Sequence, residues 1–129
     1  MKVNYNLEGV FSKVYESTVD NVTVDSMPFE YNFSKSSNFD VEISSILKME
    51  KSEIREVELH DIKKIRYIFI DVLEGENDDY HLQFSIDDGA TYIDFEKFMI
   101  FMTVGVDELK LKNPNDNTIS LYISAAGDA

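Results

Sequence analysis

The sequence contains no cysteine and no tryptophan, only two prolines and five glycines, and just 12 Lys and Arg against 25 Asp and Glu. Each shortage excludes something. Without cysteine there are no disulfides, no thiol nucleophile and no thiolate metal site. The formal charge of −13 argues against direct nucleic-acid binding, which needs Lys and Arg to neutralise phosphate. It disfavours an anionic membrane surface for the same reason. No apolar run approaches the length of a membrane span, and the opening "MKVNYNLEGVFSKVYES" has no apolar core of signal-peptide length. The expectation is a chain made in a cytoplasm-like compartment, where the N-x-[ST] triplets at Asn21 and Asn32 carry no meaning. At 129 residues the simplest organisation is one domain over 1–129, large enough to bury about two-thirds of its unfolded surface.

What is present is alternation. Val3, Tyr5 and Leu7 begin it, followed by Val22 and Val24, then Phe29, Tyr31 and Phe33. Phe39, Val41 and Ile43 come next, and later Val57 and Leu59. The second half repeats the pattern with Leu82, Phe84 and Ile86, with Leu109 and Leu111, and with Ile119, Leu121 and Ile123. Short segments of period two, rich in aromatic and β-branched residues, read as antiparallel strands. The spacers "SMP", "SKSSN", "EGENDD", "DDG" and "NPNDN" carry residues that tolerate turn dihedrals. The fold expected is all-β: an antiparallel sandwich, jelly-roll or immunoglobulin-like, or a small barrel. Two stretches leave room for one short helix. Residues 45–58 have charged spacing without a 3.6 period. In 94–102, Phe95, Phe98, Met99 and Met102 fall at i, i+3, i+4 and i+7, with Asp94 placed to cap.

Charge is uneven. Between Arg66 and Lys97 there is no Lys or Arg, while Asp71, Glu74, Glu76, Asp78, Asp79, Asp87, Asp88, Asp94 and Glu96 all fall there. Carboxylates suit a hard cation, so Asp78, Asp79, Asp87 and Asp88 are candidate calcium ligands if their two turns are neighbours. The spacing is not that of an EF-hand loop. Solvated hairpin turns, with Asp88-Gly89 as turn residues, explain the same acids without a metal.

Catalytic patterns are missing. No G-x-S-x-G, H-E-x-x-H or phosphate-cradling glycine loop occurs, and His60 and His81 lie in polar surroundings. Among so many acids a glycosidase-like pair has no specificity, and the usual sugar-stacking residue, Trp, is absent. The expectation is no enzyme, no catalytic residue and no cofactor. A binding module for a carbohydrate or receptor, calcium-assisted or not, stays open as an alternative.

Two segments carry apolar residues on both faces: "YIFI" at 67–70 and "FMIFM" at 98–102. In the first, Ile68, Ile70 and Val72 form the longer aliphatic side and are assigned to the core, so Tyr67 and Phe69 point away. In the second, Phe98, Ile100, Met102 and Val104 are assigned inward, which leaves Met99 and Phe101 outside. Tyr67, Phe69, Met99 and Phe101 are therefore the expected interface, since an exposed patch of this kind commonly marks a contact. A loop or short helix of the same chain lying over them is the alternative.

From "IKKIRYIFIDV", through the acidic hairpin region, to "ELKLKNPNDNTISLYISAAGD", the chain resembles small β-sandwich structural proteins of tailed-bacteriophage virions. The likeness covers about residues 62–128 and lies in pattern and loop style. It implies a non-enzymatic role in a capsid, neck or tail. There the protein would pack in many copies against itself or other virion proteins, after synthesis in the host cytoplasm. The small residues of "SAAGDA" would lie against a neighbour or fray as a terminus.

Overall fold

A computed structural model describes residues 2–14, 16–25, 29–73 and 81–129. The protein is all-β, with antiparallel sheets that form a β-sandwich, and among the described residues there is no helix. The strands are β1 (Val3–Lys13), β2 (Glu16–Val19), β3 (Val22–Asp25), β4 (Phe29–Phe39), β5 (Val41–Met49) and β6 (Ile54–Glu56), then β7 (Lys64–Val72), β8 (His81–Ser85), β9 (Ile93–Glu96), β10 (Phe98–Val106), β11 (Lys110–Lys112) and β12 (Ile119–Asp128). The chain divides into two compact units, residues 4–38 and residues 39–129 with 1–3.

The smaller unit is a two-stranded ribbon, β1 with β4, and the hairpin β2–β3. Asp20 and Asn21 turn that hairpin with φ of 51° and 62° while Val19 pairs with Val22. Two consecutive left-handed residues between paired positions are the turn whose twist suits a hairpin, and Asp and Asn tolerate that region best. "SKSSN" was expected to be a spacer and is instead the interior of β4. Its polar side chains stay exposed or half-exposed, so they can occupy a strand that faces water.

The larger unit holds two four-stranded sheets, ordered β10-β7-β12-β5 and β6-β11-β8-β9. Their inner faces meet in one core. From the first sheet come Met49, Ile68, Ile70, Val72, Met99, Leu121 and Ile123; from the second come Leu82, Phe84 and Leu111, with Leu109 beside them. The alternating strands are explained by this arrangement, since one face packs and the other meets solvent. Val57 and Leu59, read as a strand, lie just past β6. Val57 still donates its N–H to the Leu109 carbonyl (2.9 Å), and its side chain is buried. The helical readings of 45–58 and 94–102 both give way to strands. Ser52 (φ 61°) turns the chain between β5 and β6, and Lys97 (φ 66°) separates β9 from β10.

"SAAGDA" is not a frayed end. All of it but Ala129 lies in β12, between β7 and β5, with Ala125 and Ala126 fully buried. A register shift between Ala126 and Gly127 marks a β-bulge opposite Arg66. There the two backbones approach so closely that only glycine fits, because a Cβ at 127 would overlap the Lys64 carbonyl.

One buried polar residue ties the far end of the sandwich together. Asn113, fully buried, directs its Nδ2 at the carbonyls of Met49 (3.2 Å), Glu50 (3.1 Å) and Asn117 (2.9 Å). Its Oδ1 accepts from the backbone N–H and side-chain amide of Asn115, and its own N–H reaches the Glu53 carbonyl at 3.0 Å. Removing the amide strands the acceptors of two chain segments, Met49–Glu50 and Asn117, and the Asn115 donors. Asn113→Ala is expected to lose about 3 kcal/mol, since each buried unsatisfied group costs about 1–3 kcal/mol. Asn113→Asp should lose more, because it aims a negative charge at carbonyl oxygens. Urea denaturation checks both; equal stability of Asn113→Asp and the parent would refute the role of this amide.

Candidate interaction surface

The outer face of the β10-β7-β12-β5 sheet can be laid out from its register. Pairing fixes which side chains stand side by side, because directly paired residues share a face. One row runs Phe98, Asp71, Tyr122, Ile46; the next runs Ile100, Phe69, Ser124, Ser44; the third runs Met102, Tyr67, Ala126, Glu42. With strands about 4.8 Å apart and rows about 6.8 Å apart, the three rows cover roughly 300 Å². Patches of that size on a monomer often mark a contact.

The open part of this face is largely apolar, while Ser124, Tyr67 and Ala126 at its centre are buried. Phe98 is 58% exposed, Met102 51%, Ile46 70% and Val104, further along β10, 98%. Phe69 and Tyr122 are half-buried by each other, their rings edge to face with centroids 6.2 Å apart. None of these is needed to close the core.

The sequence-based assignment of β7 agrees with the structure, with Ile68, Ile70 and Val72 in the core and Tyr67 and Phe69 on the other side. Tyr67 is nonetheless closed over. The Phe39 ring lies 6.1 Å from it, the residue is only 7% exposed, and burial raises its phenol pKa above 10. The assignment of β10 is reversed. Met99 is buried in the core, and Phe101 packs against that core with its ring 5.9 Å from Phe84. The cause is register: Met99 pairs with Ile70 and Phe101 with Ile68, both inward residues. Phe98, Met102 and Val104 are therefore the exposed set that the sequence reading placed inside.

Of the four acidic candidates, Asp78 and Asp79 lie outside the described residues. Asp87 and Asp88 sit in the turn after β8 and are held by protein groups. Asp87 accepts from the Ser85 hydroxyl (2.7 Å) and the Thr91 N–H (2.9 Å), and the Ser85 oxygen also takes the Gly89 N–H. Asp88 pairs with the Lys110 ammonium at 2.6 Å. Among the described residues no group of three or more His, Asp or Glu could hold a metal ion. The two histidines stand apart, His60 4.0 Å from Glu58 and His81 3.5 Å from Asp94.

This turn has a pH signature. The hydrogen bond from Ser85 chiefly lowers the Asp87 pKa, and the bond from Lys110 lowers that of Asp88. Both carboxylates therefore add stability above their ordinary pKa of 3.8 and lose it as pH falls through the lower folded values. Glu108 opposes them, its pKa raised by desolvation and then by Asp88, so its protonation on acidification favours the fold. Lys110, raised by Asp88, contributes below its ordinary 10.5 and loses this as pH rises through its folded value. Asp87→Asn is expected to flatten the fall of the thermal midpoint below about pH 4. A fall as steep as the parent's would contradict these assignments.

An open groove of about 630 Å³ runs between β5 and β6, bordered by Ile43, Leu47, Arg55, Val57 and Glu58. Arg55 is already engaged there, by Glu53 at 2.7 Å and the Lys48 carbonyl at 3.0 Å. Fold and surface together define an antiparallel β-sandwich with one unusually apolar sheet face. No protein family, curated protein or solved structure matches the chain.

Proposed function

We propose that the protein is a non-enzymatic structural component of a bacteriophage virion, a capsid accessory, neck or tail protein that works through subunit–subunit contacts. The observation that carries this reading is the outer face of β10, where Phe98, Met102 and Val104 stand in solvent although the core beneath is complete. The resemblance of residues 62–128 to phage sandwich proteins supplies the setting. A formal charge of −13 keeps free subunits apart by repulsion until specific burial overcomes it. Each Å² of apolar surface covered contributes on the order of 25 cal/mol before ordering costs. The partners are other copies and other virion proteins; no cofactor, nucleic acid or membrane enters.

The test is the copy number of the chain in purified virions. A fixed multiple per particle is expected. A lone 14.9 kDa species, absent from every particle fraction, would overturn the proposal.

A further inference from the structure

The ribbon of β1 and β4 has two unlike faces. A Cβ at Gly9 would stand 2.6 Å from the Phe33 ring, and the Lys13 ammonium lies 5.2 Å from the Phe29 ring centre. These contacts put the odd-numbered residues of both strands on one side. That side carries Leu7, Phe11, Phe29, Tyr31 and Phe33; the other carries asparagines, serines, Glu8 and Glu30, with Val10 its one large apolar residue. Phe11 is 56% exposed, Tyr31 58% and Phe29 48%. Two strands alone are too thin to bury such a face, and isolated two-stranded ribbons are marginal in water.

Charge says what covers it. The apolar side of the ribbon bears Lys13 and Lys35 and no carboxylate. The open positions of the three outer rows of the β10-β7-β12-β5 sheet bear Asp71 and Glu42 and no basic residue; Lys48 stands one row further along β5, and Arg66 lies beyond the covered Tyr67, 5.9 Å from the Phe39 ring. A cationic apolar strip and an anionic apolar face are complementary, and this chain carries both. Eleven residues per strand give the ribbon a length of about 36 Å, enough to cross all four strands of the sheet. We propose that the ribbon of one copy packs, apolar side down, on the outer face of the β10-β7-β12-β5 sheet of a second copy. The inference rests on the structural role proposed above and names its contact. Each copy gives its ribbon to one neighbour and receives one from another, a head-to-tail arrangement in which repeated copies form a closed ring or a filament. With Tyr67 and Ala126 already covered, less than about 300 Å² of face is left per contact, so a single pair is weak, below the size of a standard stable interface. Association should therefore be cooperative, each copy giving a ribbon and receiving one.

Sedimentation velocity of the full chain and two variants, from micromolar to millimolar, tests this. One variant carries Phe11→Asp and Tyr31→Asp in the ribbon; the other carries Met102→Asp on the sheet. The parent should grow beyond a dimer with concentration. Each variant alone should lose self-association by at least about 30-fold. An equimolar mixture should form a one-to-one heterodimer toward the millimolar end of the range and stop there, because it contains one intact ribbon and one intact face and so a single weak contact. A variant that keeps associating by itself would show a like-to-like interface and overturn the proposal, as would an inert mixture. Lys35→Glu guards against loss of the ribbon fold, since no apolar residue changes. It should weaken association by about 10-fold and recover with Asp71→Lys in the partner; no weakening would count against the contact. A parent that stays monomeric, yet is present in fixed copy number in virions, would sink this interface and leave the structural role standing. Heterodimerisation without any presence in virions would do the reverse.

Discussion

Replacing Gly127 by alanine is expected to lower stability by about 4 kcal/mol. That is a large share of the 5–15 kcal/mol typical of a whole domain. One methyl group has this effect because of where it points. Gly127 sits at the bulge of β12 against β7, and the atom in its way is the backbone carbonyl oxygen of Lys64, not the end of a flexible side chain. Accommodation requires moving β7, which carries Ile65, Ile68 and Ile70, all fully buried. It also strains the bonds on either side, from the Asp40 N–H to the Gly127 carbonyl (3.2 Å) and from the Lys63 N–H to the Asp128 carbonyl (2.8 Å). The thermal midpoint should fall by about 15 °C. Gly105 is the instructive control. It is demanded by a φ of 139°, yet a Cβ there would meet only the Lys64 side chain at 3.6 Å. Gly105→Ala should cost only the strain, about 1–3 kcal/mol. A Gly127→Ala variant as stable as the parent would mean that β12 and β7 do not pair as described.

Aspartate at Met99 and at Met102 should give opposite results. Met99→Asp places a carboxylate in the core, where Met99 is 9% exposed and its paired residue Ile70 fully buried. A loss of about 4 kcal/mol or more is expected, with the variant unfolded or molten at physiological temperature. Met102→Asp, on the outer face and half exposed, should change the monomer's stability by no more than about 0.5 kcal/mol while abolishing association. A helix over 94–102 would place Met99 and Met102 on one face and predict the same fate for both. Circular dichroism melts of the two variants, run beside their sedimentation profiles, separate these cases.

Much of the architecture was legible in the residues, and the failures have physical reasons. Period two fixed the phase of β7, because Ile68, Ile70 and Val72 alternate with Tyr67, Phe69 and Asp71. Over 98–102 every residue is apolar, so alternation carries no phase. The longer set, ending at Val104, was placed inside, but register against β7 decides the matter and is a tertiary property. Tyr67 was read correctly as pointing away from the core, while the ring that encloses it, Phe39, belongs to a distant part of the chain. "SKSSN" has the composition of a turn because it forms strand in a ribbon open to water, where polar side chains cost nothing. The reach of Asn113 across three segments has no local signature beyond its place in "NPNDN". Tyr67, Phe69, Met99 and Phe101 all belong to one sheet, but only Phe69 lies on its open surface.

The central claim is that the outer face of β10 is open in the single chain and covered by another copy. Methionine oxidation, mapped by mass spectrometry in dilute and concentrated protein, measures it directly, since sulfoxide formation follows exposure. Met102 should oxidise readily when dilute and become protected as the protein associates. Met99 and Met49, both in the core, should resist in both states until the chain unfolds. Protection of Met102 in the dilute monomer would show that its own chain already covers this face, and undiminished oxidation in the concentrated protein would show that no copy covers it.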